Sequence, residues 1–171
     1  ALEVYQSLLE KNEETQQRRA ELLLDKRRFG EVLEILPQNI DELSPAWAGL
    51  HGAALYYLGQ SSAARLLLEK AWNKGQRNDR VLRPLARLWA EEGDPIQAGT
   101  VYQILQDTME NKLTLDDYAL MARVAILGGF GDISDEEKVN YYEQCVAQAG
   151  TRILNFSFAK EVLSERLDLW K

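Results

Sequence analysis

The sequence predicts an all-helical fold: a short array of antiparallel helix pairs, about four of them, followed by one more helix at the C-terminus. Three observations predict it. Apolar residues recur at three- and four-residue spacings, the period of an amphipathic helix, and no segment sustains the alternation of a strand. Residues that start and stop helices stand at regular intervals. The chain also repeats itself with a period of about 34 residues.

The repeat is clearest in the middle. Gly52-Ala53-Ala54-Leu55, Gly59, Ser61, Ala64, Leu68 and Ala71 align without a gap onto Ala86-Arg87-Leu88-Trp89, Gly93, Pro95, Ala98, Tyr102 and Leu105, 34 residues later. Small residues meet small ones and large apolar residues meet large apolar ones. An earlier copy, Ala20, Leu23, Arg27, Phe29, Val32 and Leu36, fits at an offset of 32. A later one fits at 36 for its first half, where Ala122, Ala125 and Gly129 follow Ala86, Trp89 and Gly93. The insert Phe130-Gly131-Asp132-Ile133 displaces its second half.

The elements follow in order. Residues 1–12 read as the second helix of a preceding pair. Helix pairs are then expected over 15–37, 45–76, 79–110 and, with the insert, 115–149. Gly59 and Gly93 fall between the two helices of their pairs, where a residue that tolerates the left-handed conformation ends a helix. Ser44-Pro45 and Asp94-Pro95 read as N-cap followed by first-turn proline. Thr114-Leu115-Asp116-Asp117 resembles a capping box with Asp in the acidic slot, and Ser134-Asp135-Glu136-Glu137 is a second one ending in Glu. Residues 152–171 form the expected C-terminal packing helix, capped at Asn155 or Ser157 and carrying Phe158, Val162, Leu163, Leu167 and Trp170. A chain that opens on half a repeat, without Met, reads as a piece of a longer protein; a processed N-terminus or a trimmed tag is the plainer alternative.

Gly52, Leu55, Gly59, Ala64, Leu68 and Ala71 match the small–large–Gly–aromatic–Ala–aromatic–Ala pattern of the tetratricopeptide repeat family, and Ala86, Trp89, Gly93, Ala98 and Tyr102 match it nearly as well. The resemblance covers roughly residues 1–149. Arg27 departs from it at the hinge glycine, and the insert interrupts the fourth unit. The resemblance implies a right-handed superhelical solenoid whose first helices line a concave face, and a protein-binding role.

Composition narrows the function. Hydrophobic residues make up 46% of 171, enough for a sizeable core. Asp and Glu number 27 against 20 Lys and Arg, a formal charge of −7, so the chain does not attract a phosphate backbone and no nucleic-acid partner is expected. The single cysteine, Cys145, rules out an intrachain disulfide or a cysteine zinc site. It suits the cytosol and does not exclude the bacterial periplasm. The single histidine, His51, leaves no second imidazole for a metal and no base near a serine, and it reads as a packed or half-exposed residue of a helix. Apolar runs are too short to span a bilayer. Gly128-Gly129-Phe130-Gly131-Asp132 follows a helix and lacks the Lys and Ser/Thr of a phosphate loop, so it reads as a turn. Asp132, Asp135, Glu136 and Glu137 lack the spacing of a calcium loop and suit a helix start. Cys145, among Val139, Tyr142 and Val146, reads as a buried thiol. No catalytic residue, cofactor or metal is expected, and the chain reads as a non-enzymatic scaffold.

The candidate partner-binding residues are Arg80, Arg83, Arg87 and Arg123, with Tyr56 and Tyr57. Spacings of three and four put Arg80, Arg83 and Arg87 on one helix face whatever the family. The resemblance then turns that face, Arg123 and the two tyrosines towards the concave surface. Arg offers bidentate donors and Tyr amphipathic area, a combination that fits an acidic protein or peptide segment. The plainer alternative is a basic face neutralised internally by acids such as Glu91 and Glu21. Chaperone-binding members of the family hold a carboxylate with Lys and Asn, whereas Gln17 and Glu21 stand at the corresponding positions here, so a clamp of that kind is not expected. The rival reading is a structural segment that self-associates through the ends of the array.

Overall fold

The computed structural model describes residues 2–35, 43–109 and 113–131, together with Ser134, Glu136, Asn140, Glu143, Gln144, Ala147 and Gln148. Among them stand seven helices and no strand: α1 (Leu2–Asp25), α2 (Phe29–Ile35), α3 (Pro45–Tyr57), α4 (Ser61–Asn73), α5 (Asp79–Glu92), α6 (Pro95–Met109) and α7 (Leu115–Ile126). The expected helix over 152–171 lies outside the described residues, as do Leu36, Asp132, Asp135, Glu137 and Cys145. The chain divides into two compact units, Ala1–Pro84 and Leu85–Lys171, with the division inside α5.

Four helices, α1, α3, α5 and α7, end in the same way. Arg27, Gly59, Gly93 and Gly128 all take positive φ, at 58°, 79°, 83° and 78°. The N–H of the following residue reaches back five positions: Arg28 to Leu23 (2.9 Å), Gln60 to Leu55 (2.9 Å), Asp94 to Trp89 (2.8 Å) and Gly129 to Val124 (2.8 Å). This left-handed closure satisfies carbonyls that the helix itself leaves open. The four accepting residues, Leu23, Leu55, Trp89 and Val124, are all buried, so each closure is anchored by a core side chain. Val32, Ala64 and Ala98, which correspond in the helices that follow, are fully buried.

Two expectations are corrected. The break between residues 1–12 and a helix beginning near 15 is absent: α1 runs unbroken for 24 residues. Lys11 to Gln16 contains neither Gly nor Pro and is rich in good helix formers, so nothing there ends a helix. Its Glu13 also accepts a hydrogen bond from Trp47 Nε1 at 3.1 Å, tying this stretch to α3. The fourth hinge is Gly128, where the alignment had put Gly129. Gly129 meets a different demand. A Cβ there would strike the Pro95 carbonyl and the Val124 side chain, and a Cβ on Gly99 of α6 would strike Gly129 itself. Close packing of the turn on α6 therefore requires glycine at 129 and leaves the left-handed position to its neighbour.

In the first unit, α1 packs on α2 and α3, and α3 packs on both α2 and α4. Gly52 makes the α3–α4 approach close, for an added Cβ would stand 2.7 Å from Leu68 Cγ and 3.1 Å from the Ala64 carbonyl. Gly49 does the same against Val81, at 2.6 Å. In the second unit, α6 packs on α7, and Tyr102, Leu105, Leu120 and Met121 are among its fully buried large side chains.

The expected caps at Ser44, Asp94 and Thr114 all form. Ser44 accepts from Trp47 N–H at 3.5 Å ahead of Pro45, and Asp94 accepts from Gln97 N–H at 3.2 Å ahead of Pro95. Thr114 and Asp117 form a reciprocal capping box, with Thr114 N–H donating to Asp117 at 2.8 Å and Asp117 N–H to Thr114 at 3.2 Å. Asn78 caps α5 through Val81 N–H at 3.2 Å, a cap not expected from the sequence. Pro84, inside α5, removes the donor that would have bonded the Arg80 carbonyl.

Candidate functional site

Helical spacing orders Arg80, Arg83 and Arg87 along α5, and acids hold each of them. In the first unit, Arg80 grips the Asp25 carboxylate with two donors, Nε at 3.2 Å and Nη2 at 2.9 Å. The hydrogen bond to Asp25 is the main reason its pKa rises above the ordinary arginine value. Arg83 donates to Asp79, one turn back on the same helix, at 3.1 Å. Both acids are partly exposed, so these are solvent-screened pairs. A cleft of about 40 Å³ beside Arg80 is lined by Gln17, Glu21, Leu50 and Asn78 among others, and has room for water but not for a side chain. A wider depression of about 450 Å³ between α1 and α2 is lined by Gln16, Arg19, Glu31, Glu34 and Ile35, a mixture of both signs.

In the second unit, Arg87 Nη2 lies 3.4 Å from Asp117 Oδ1. Asp117 has no solvent exposure, and its other oxygen serves the Thr114 capping box. One buried carboxylate thus joins the start of α7 to α5. Arg123 is half-buried on α7.

Tyr56 is half-buried and Tyr57 is 41% exposed, the two rings meeting edge to face with centroids 5.3 Å apart. Phe29, the first residue of α2, stacks on Tyr57 at 4.7 Å. His51 is half-buried on α3, and burial lowers its pKa below 6.5.

Acids that meet the arginines thus include Asp25, Asp79 and Asp117, three that the sequence reading had not singled out as partners. Glu21 pairs with Arg18 on its own helix at 3.6 Å, and its charge adds to the rise of the Arg80 pKa. Asp79 was readable from its four-residue spacing to Arg83. Asp117 was visible as a cap but not as a partner of Arg87, 30 residues away, and Asp25 stands 55 residues from Arg80. Phe29 as a ring partner of Tyr57 was also missed. No helix among the described residues is long and apolar enough to cross a membrane. No protein-family profile, curated protein or solved structure matches the chain.

Proposed function

We propose that the chain is a non-catalytic scaffold: an array of helix pairs of the tetratricopeptide type that binds an acidic segment of another protein. The observation that carries the reading is the recurrence of one hinge. A buried large residue, then a left-handed residue four positions on, recurs at Leu23/Arg27, Leu55/Gly59, Trp89/Gly93 and Val124/Gly128. A helix-pair unit of this size buries its apolar face on neighbouring units and leaves its other faces free for partners, the common use of such arrays. The binding residues proposed are Arg80, Arg83, Tyr56 and Tyr57 in the first unit, and Arg87 and Arg123 in the second, each set contributing by itself.

The acids already beside Arg80, Arg83 and Arg87 set the terms of such binding. An incoming carboxylate shares a guanidinium with Asp25, Asp79 or Asp117, and Arg has five donors to divide. Each such contact is therefore modest, about 0.2–1 kcal/mol, and weakens with salt. The test is fluorescence anisotropy of a labelled Glu-rich peptide with the parent chain and with Arg83→Glu/Arg87→Glu, at low and high salt. The expected result is weaker binding by the variant at low salt and convergence at high salt. Equal affinity at low salt, with the helical circular dichroism intact, removes the arginines from the site.

A further inference from the structure

The turn between α1 and α2 carries a feature that neither the hinge nor the arginine face explains. Where three of the four hinges use glycine, this one uses Arg27, at φ 58°. A side chain is disfavoured in that conformation relative to glycine, so arginine is held here against local backbone preference. Arg27 and the preceding Lys26 are both exposed, and neither side chain has a hydrogen bond or ion pair among the described residues. Their neighbour Arg28 differs, for its Nε and Nη2 donate to the Glu31 carboxylate at 2.5 and 2.6 Å. Two cations with no partner among the described residues thus stand together on a chain of net charge −7.

Besides the paired charges of Asp25 and Arg80 and of Arg28 and Glu31, apolar side chains stand near this turn. Two residues beyond Arg27, Phe29 stacks on Tyr57, whose ring is 41% exposed, and Leu58 beside it is 44% exposed. Leu22, whose carbonyl accepts from Lys26 N–H, lies one helical turn below and is 56% exposed. Two such cations beside a partly exposed aromatic stack match the recognition chemistry of carboxylates flanking an aromatic side chain: Arg binds carboxylate with paired donors, and a ring adds contact area at low entropic cost.

We propose that Lys26, Arg27, Phe29 and Tyr57 form a docking corner for an acidic protein segment that carries an aromatic or large apolar residue. Carboxylates of the segment pair with Lys26 and Arg27, and its apolar side chain lies against the open part of the Phe29–Tyr57 stack. The chain's overall negative charge repels both anions, but a nucleic acid, with a charge on every phosphate, more strongly than a short segment with a few carboxylates. The inference rests on the scaffold reading above and names a partner chemistry and a place for it, distinct from the arginines of α5.

The hinge supplies a clean test, because Arg27→Gly removes the cation while suiting the backbone. Binding of a labelled twelve-residue peptide with Glu on both sides of a central Phe is measured for the parent, for Lys26→Gln/Arg27→Gly and for Tyr57→Ala, in low salt. The double variant is expected to bind about three- to tenfold more weakly, with an unchanged or higher melting temperature. A peptide with Gln in place of Glu is expected to bind parent and variant alike and weakly. No binding by the parent, or equal affinity of parent and double variant, overturns the corner. Tighter binding of a single-stranded oligonucleotide than of the peptide overturns the choice of partner. Loss of binding in Arg83→Glu/Arg87→Glu but not in the corner variant leaves the scaffold standing and removes the corner; the reverse pattern keeps the corner and removes the α5 arginines.

Discussion

Arg27 and Gly93 occupy the same left-handed hinge with different side chains, and the difference predicts opposite signs. Gly93 is exposed, with nothing near the place a Cβ would take, so Gly93→Ala probes backbone conformation alone. It should lose about 1 kcal/mol, while Arg27→Gly should be neutral or gain up to about 1 kcal/mol. Urea unfolding of both variants measures this, and a loss in Arg27→Gly larger than that in Gly93→Ala contradicts the shared hinge. His51 makes a second prediction at this scale. Burial lowers its folded pKa, so as pH falls below the ordinary 6.5 the unfolded chain takes up the proton first. Stability from this group is therefore full above pH 6.5 and is lost below it, until the folded pKa is passed. His51→Gln should show a shallower decline than the parent from about pH 7 to pH 5, read from melting temperatures. Parallel curves would mean that the imidazole titrates as it does in the unfolded chain.

At the scale of the helix, starts and stops matter more than interiors. The first turn of α7 depends on Asp117, which closes a capping box with Thr114 and accepts from Arg87 while fully buried. Asp117→Ala removes the cap and leaves the mostly buried Arg87 without this carboxylate. The expected loss is about 2–4 kcal/mol, since breaking a buried pair is far costlier than breaking an exposed one. The pair of Asp79 and Arg83, more open to solvent on α5, gives the contrast. Asp79→Ala should cost less than about 1.5 kcal/mol, a loss that includes removing an acid from a helix start. Chemical denaturation ranks the two, and equal costs would contradict the burial argument. The length of α1 follows the same logic: a helix continues until something stops it, and in this chain the stop comes at Arg27.

At the scale of the whole chain, stability in an array comes from neighbours as well as from each pair. Deleting residues 46–79 joins the Ser44-Pro45 helix start directly to Arg80 and preserves the repeat register. The shortened chain should stay helical by circular dichroism yet melt below the parent, because α1 and α2 lose α3, on which both pack. Melting at the parent temperature would contradict the array. Light scattering on the parent separates a scaffold that waits for a partner from a segment that assembles with copies of itself.

What the sequence determined by itself is periodic and local. Helical period, caps at Ser44, Asp94 and Thr114, and hinges at Gly59 and Gly93 all depend on residues within a few positions of one another, so they were legible and the structure bears them out. The continuity of α1 was legible too, in a stretch with no Gly or Pro, but the repeat period suggested a boundary there. Tertiary packing decided the rest. The choice of Gly128 over Gly129 as a hinge follows from how closely the turn approaches Pro95 and Gly99. The engagement of Arg80 by Asp25 and of Arg87 by Asp117 joins residues 55 and 30 positions apart. The stack of Phe29 on Tyr57 likewise joins two helices. Local free energies choose where a helix starts and stops; which charges are neutralised and which stay open depends on side chains that meet only once the helices have packed.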